Sequence, residues 1–464
     1  MGGDRGGRTR LGALLGAGLL LAACAQTGGV TTTGGVTTTG GVTTTGGVSG
    51  AGGVSGAGAE DGAGTAGAAR AERAPSPPAT TSPAAPAASP SPSPSGASAT
   101  PAPGSGVTSS ATPRSTPSAS VGKGEGALQV LTYQGHVEFG SSGSRINWVS
   151  PFEERSGCVV RVDRVRTGEE MASRFAAGTY DVVSPSPDLA GLLVADGKVA
   201  PLDTSLIPEY RHIPKRLREL PGLREDGRVY GVPYLWGVNR VIYEGDGTRK
   251  AEALYAGAPA GIRDSPLSIA DAALALARTR PDLDVDDPFQ LTPAQLDAAA
   301  DLLAEGDGPD RVYWNDSLDL VRALSSGPVR IAQALPYHLD LFRRAGRQMK
   351  VAPEGPVTGW VDSWMVSATS ASPNCAYRWL DWMASEGAQR PAAAWTGLAP
   401  ANPEACGGHA RRICDTYRVR DGKGLRDVLF ASRPARDCGS GGEGGGGTCT
   451  DYADWTERWK DLVK

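Results

Sequence analysis

Trp360-Val-Asp362 sets an indole and a carboxylate two residues apart, the pair in this chain best suited to hold a small charged molecule. Side chains alternate along an extended segment, so both groups emerge on one side. A carboxylate accepts charge-assisted hydrogen bonds from an ammonium. An aromatic face attracts a cation through its quadrupole and gives methylenes a flat wall. A polyamine, a methylene chain with ammonium ends, needs both. Read alone, the same pair is also a core tryptophan beside a turn-capping acid, since buried tryptophan is common.

The cysteines offer a second chemistry. Arg5, Arg8 and Arg10 precede an apolar run, Leu11 to Leu21, which ends in Leu21-Ala22-Ala23-Cys24. This is an export signal whose last four residues resemble the lipobox of bacterial lipoproteins. In that class the Cys24 thiol takes a diacylglycerol and becomes the mature N-terminus. The expectation is a protein anchored by lipid at the extracellular face of the cell membrane, with no spanning helix. Six cysteines remain: Cys158, Cys375, Cys406, Cys414, Cys438 and Cys449. An even count in an exported chain points to disulfides, and about 15 pairings are open. Cys406/Cys414 and Cys438/Cys449 are natural local pairs by proximity, which would leave Cys158 with Cys375. There is no C-x-x-C, and the four His (His136, His212, His338, His409) form no ligand pattern, so no metal is expected.

Composition closes off other classes. The net charge is −4, from 46 basic and 50 acidic residues, with no Lys/Arg block, so nucleic acid is not an expected partner. The chain has no G-x-S-x-G elbow, no G-x-x-x-x-G-K-[ST] loop and no H-E-x-x-H helix. The expectation is a protein that is not an enzyme and uses no cofactor. The alternatives are a secreted hydrolase or polymer-synthesising lipoprotein, and an adhesive or structural surface protein.

Positioning the pair requires folded elements. Residues 25–126 read as a disordered linker: Gly-Gly-Val-Thr-Thr-Thr repeats, then an Ala/Ser/Pro-rich tract. Such a tether holds the folded part away from the lipid while keeping it nearby. Folded sequence starts at Leu128. Strands are predicted at 128–133, 159–165, 180–183 and 329–334. Helices are predicted at 148–154, 171–177, 268–278, 293–304, 376–385 and 451–463. Thr167-Gly-Glu-Glu170 and Thr292-Pro-Ala-Gln295 carry the capping pattern that opens two of them. Strands alternating with helices mean α/β layers with parallel pairing, and about 340 residues suffice for two lobes.

Six segments, in order, resemble the solute-binding proteins of ABC importers in the spermidine/putrescine branch. They are Leu131-Thr-Tyr-Gln-Gly-His136, Trp148 to Cys158, Tyr180-Asp-Val-Val-Ser-Pro-Ser186, Tyr230-Gly-Val-Pro-Tyr-Leu-Trp-Gly237, Pro353 to Asp362 and Ala376-Tyr-Arg-Trp-Leu-Asp-Trp382. The resemblance implies a two-lobed, type II periplasmic-binding-protein-like fold of mixed sheets flanked by helices, with a cleft between the lobes. Lobe one would hold residues 128–234 and 362–464, and lobe two residues 235–361. It implies a monomer that hands its solute to ABC permease subunits.

The same resemblance assigns Trp360 and Asp362 to the ligand, with Ser186 lining the cleft and Tyr133 where the family stacks a Trp. Asp188 stands where the family has a Tyr and adds an acid. Gln134 and Trp236, inside matched segments, join the expected ligand-binding set. Two family acids align near Ser265 and Ser268, with Asp264 adjacent. Two aromatic walls align with Leu335 and Leu398, for which Tyr337 would compensate. The implied ligand is a polyamine-like or other small cationic solute. These departures leave room for a shorter or singly charged amine, or for another small polar solute.

Overall fold

The computed structural model describes residues 120–463, apart from 142, 144, 145, 258, 354 and 439–447. Cys24 and residues 25–119 of the expected linker lie outside the described residues. The last linker residues are held: Glu125 caps a helix N-terminus at Pro373–Ala384, its carboxylate accepting from the backbone N–H groups of Asn374 (3.0 Å) and Cys375 (2.9 Å).

The chain opens with three strands alternating with helices. β1 (Ala127–Tyr133) pairs in parallel with β2 (Val159–Val165) and β3 (Val182–Val183), as alternation of strands with helices requires. Helices Ser150–Ser156 and Gly168–Ala177 make the two crossovers. The first stops at Gly157 in the left-handed conformation (φ 70°), and the second starts at Thr167, whose side chain accepts from the Glu170 N–H. A short hairpin, β4 (Arg224–Glu225) and β5 (Arg228–Val229), precedes the long strand β6 (Val232–Val238).

One residue after β6 the chain enters a second sheet. β7 (Arg240–Glu244), β8 (Ala260–Arg263), β9 (Val312–Trp314), β10 (Ile331–Ala334) and β11 (Met349–Val351) stand in the order β11-β7-β10-β8-β9. The return is β12 (Val357–Val366), antiparallel to β6 and to β3, so it completes the first sheet with β13 (Ala399–Pro400) and β14 (Val428–Phe430). β6 and β12 are buried along their whole length, which is why neither shows alternation in the sequence. The architecture is the α/β, two-lobed arrangement expected.

The first lobe packs around aromatics that meet edge to face. Trp379 meets Phe152 (5.0 Å) and Trp364 (5.4 Å) edge to face, and Tyr234 meets Trp364 (5.7 Å). Truncating Trp379, fully buried here, would cost about 3–5 kcal/mol. The second lobe has its own core of Ala, Leu and Ile from β8, Ile269–Thr279 and Pro293–Glu305.

Lobe one is expected to run to Lys464. In the structure the final helix, Tyr452–Leu462, rests on lobe two instead: Trp455 and Trp459 join that lobe's core, and the Trp459 indole donates to Asp264 (2.9 Å). Its apolar face is a pair of tryptophans four residues apart, and lobe two supplies the apolar partner. Disulfides join Cys158–Cys375, Cys406–Cys414 and Cys438–Cys449, the set that proximity suggested. No helix among the described residues is long and apolar enough to cross a membrane.

Candidate functional site

β12 supplies the centre of the site. Trp360 lies opposite Gly237 of β6, and Asp362 opposite Leu235. A bulge falls between Asp362 and Ser363, a device that re-aims side chains near binding sites. Both side chains are nearly closed off, at 7% and 4% exposure. Gly237 is needed for this geometry. A Cβ there would sit 2.4 Å from two ring carbons of Trp360, so only glycine leaves room for the indole.

Lobe one brings three further groups. Tyr133 ends β1, and Ser186 and Asp188 open the helix Pro187–Ala195. The Ser186 hydroxyl does not cap that helix; it accepts from the Tyr133 hydroxyl at 3.1 Å. Gly168 lies against all three, its added Cβ 3.4 Å from Ser186 Oγ and Tyr133 Oη and 3.8 Å from Asp188 Oδ2. These groups stand at strand C-termini and a helix start, where open α/β sheets bind ligands. Burial raises the Tyr133 phenol, and the charges of Asp188 and Asp362 add to the rise. Tyr133 thus lies within electrostatic reach of both acids.

Burial pushes Asp362 up to about 7, against the pull of Arg263 and the Trp360 indole N–H. His136 Nε2 is 3.7 Å from Asp362, but burial pulls this imidazole down to about 4, so it is neutral at neutral pH and balances no charge.

Arg263, Asp271 and Tyr452 join this group although no motif singles them out in the sequence. Arg263 ends β8 of lobe two and lays its guanidinium over the Trp360 ring, 3.8 Å from the centroid. Its backbone is fixed on both sides: its N–H donates to Gln333 (2.8 Å), and its carbonyl accepts from Ser268 (2.8 Å). Behind it, Asp271 accepts from Thr358 (2.6 Å), Asn239 (3.0 Å) and Gln333 (2.7 Å), joining both crossovers to lobe two. Burial lifts Asp271 to about 7 although these bonds and the Arg263 charge oppose it. Burial raises the phenol of Tyr452 in the last helix, the charge of Asp188 adds to the rise, and Arg433 lies over the Tyr452 ring at 5.3 Å. One available signal was the charge that closes the apolar strand Ala260-Gly-Ile-Arg263.

The remaining expected residues take other places. Trp236 faces away from Trp360. Its strand partner is Val361, so it stands on the other face of the hinge strands, where it donates to Pro400 (3.1 Å) and packs on Tyr417. A cavity of about 400 Å³ adjoins it there, lined by Pro214, Leu217, Arg216, Arg420 and Arg426 among others. No acid lines that cavity, whereas charged groups converge at Asp362, which makes the latter the candidate site. Gln134 is exposed beyond β1. Ser265 is occupied in its own turn, accepting from the Leu267 N–H, and Asp264 is held by Trp459. Leu335 and Leu398 are buried, and Tyr337 of lobe two lies against Gly397 of lobe one. Glu209, His212 and Glu404 form the one group among the described residues whose ligand atoms could gather on a metal ion.

Residues 147–406 match the family model of bacterial extracellular solute-binding proteins. The putrescine-binding periplasmic protein SpuD of Pseudomonas aeruginosa is 26% identical over 216 residues, which are 42% of this chain and 56% of that protein. The putrescine/cadaverine-binding protein of the same species is 25% identical over 262 residues, 50% of this chain and 69% of the relative. This chain therefore matches little more than half the length of the first relative. Among solved structures, the spermidine/putrescine substrate-binding protein PotD of Streptococcus pneumoniae superposes with a TM-score of 0.54 at 14% identity, covering 72% of this chain and 97% of that one.

Proposed function

This chain belongs to the family of bacterial extracellular solute-binding proteins, and from that premise we propose that it captures a small, amine-bearing solute for an ABC importer. The observation that carries the reading is the placing of Trp360 and Asp362 on a hinge strand, within electrostatic reach of the Tyr133–Ser186–Asp188 group of lobe one. An acid, an indole and a phenol at a cleft suit an ammonium on a short apolar stem. Relatives named for putrescine and cadaverine support the same class of solute. Closure of two lobes would exclude water and strengthen each polar contact inside. Permease subunits are the partners this role requires, and Cys24 would tether the protein beside them.

Thermal-shift screening of the chain against amines, amino acids and sugars tests the reading. A solute at 100 times its Kd should stabilise by about 2.7 kcal/mol. Stabilisation by amine-bearing compounds is expected. Stabilisation by sugars alone, or by none of the three classes, would overturn it.

A further inference from the structure

The aromatic face that would receive a solute cation already carries a cation. Arg263 covers Trp360 at 3.8 Å, and among the described residues no carboxylate forms an ion pair with it. Asp362 attracts it from beyond contact distance. Its anchored backbone, between Gln333 and Ser268, keeps its base in place. A guanidinium that lies over an indole and is paired with no carboxylate has its N–H fork to offer, and that fork matches a carboxylate bidentately. A second cation brought to the same ring would meet like charge at a few ångströms in a largely dry site, which is costly. The acids Asp188 and Asp362 remain for an ammonium.

We propose that Arg263 is the carboxylate-recognising group of this cleft, and that the solute is bipolar: a primary ammonium at one end, a carboxylate at the other, and a short methylene stem between. The ammonium is held by Asp188 and Asp362, and the carboxylate by the Arg263 fork. Trp360 serves as the platform that orients that fork. This inference rests on the reading of the cleft as an amine-solute site, and it narrows the solute from diamines to ω-amino acids.

Calorimetric titration of the chain with straight-chain ω-amino acids and the corresponding diamines, each with three to five methylenes, tests it. The wild type should bind its best ω-amino acid at least ten-fold more tightly than any of the diamines. Arg263→Gln keeps a planar group on Trp360 and removes the charge. It should lose at least ten-fold in ω-amino acid affinity and shift the preference towards diamines. Arg263→Lys keeps the charge without the fork and should fall between, which preserves the test if the Gln variant does not fold; melting curves without ligand report folding. Diamines binding the wild type as well as ω-amino acids, or an unchanged preference in both variants, would overturn the assignment of Arg263 and leave solute capture standing. Binding of neither series to the wild type would overturn the amine reading itself.

Discussion

The indole of Trp360 lies where a side chain at Gly237 would be: a Cβ at that glycine would come within 2.4 Å of the ring. The two residues are direct partners on the strands that link the lobes. Gly237→Ala should therefore displace the indole and the guanidinium resting on it. We expect a loss of about 1–3 kcal/mol in stability from overpacking, and a fall of at least ten-fold in affinity for the solute. Gly308→Ala, where the added carbon meets nothing within 4 Å, is the control and should change neither. Urea unfolding with parallel titration checks both. Wild-type affinity in Gly237→Ala would remove Trp360 from the site.

The buried acids make stability depend on pH. Asp362 and Asp271 stand near 7 in the folded chain against an ordinary value of 3.8, so the folded state binds more protons between about 4 and 7. Each acid therefore costs stability as pH rises through that window. His136 and His338, pulled down to about 4 and about 3, act in the opposite sense up to their ordinary value of 6.5. The difference between Asp362→Asn and wild type isolates one acid. The variant's melting temperature should exceed that of the wild type by a margin that grows from pH 4 to 7 and then levels. A margin that is flat across this range would show that Asp362 is not desolvated.

The three disulfides should differ in worth. Cys158–Cys375 closes 217 residues and Cys406–Cys414 closes 8. In the chain-entropy account their removal costs about 5 and about 2.5 kcal/mol. Paired Cys→Ser variants compared by chemical denaturation should show that order, and equal losses would point to strain or residual structure in place of loop entropy.

Local chemistry was legible in the sequence, and distant chemistry was not. The helix at Pro293–Glu305 opens at Thr292 with both arms of the capping box in place, as the Thr-Pro-Ala-Gln spacing requires. Val159–Val165 forms as its alternation predicts. Trp360 and Asp362 share a face because period two is local. By contrast, Trp236 sits inside a fully buried strand, where no polar alternation tells one face from the other. Arg263 reaches Trp360 across 97 positions, and Tyr452 comes within electrostatic reach of Asp188 across 264, so both approaches depend on topology. The final helix announced its two tryptophans but not which lobe would receive them.

Asp362→Asn offers the most direct test of solute capture, because it keeps the shape of the side chain and removes its charge. A buried charge-assisted hydrogen bond contributes about 1.5–3 kcal/mol, and breaking it inside a closed cleft also strands the ammonium. Calorimetric titration of wild type and Asp362→Asn, with the amine-bearing compound that stabilises the wild type most, should show affinity falling by a factor of about 10 or more. Unchanged affinity for that compound, in a variant that melts at least as high as the wild type at pH 8, would contradict the placing of the ammonium at Asp362 and with it the site described for this chain.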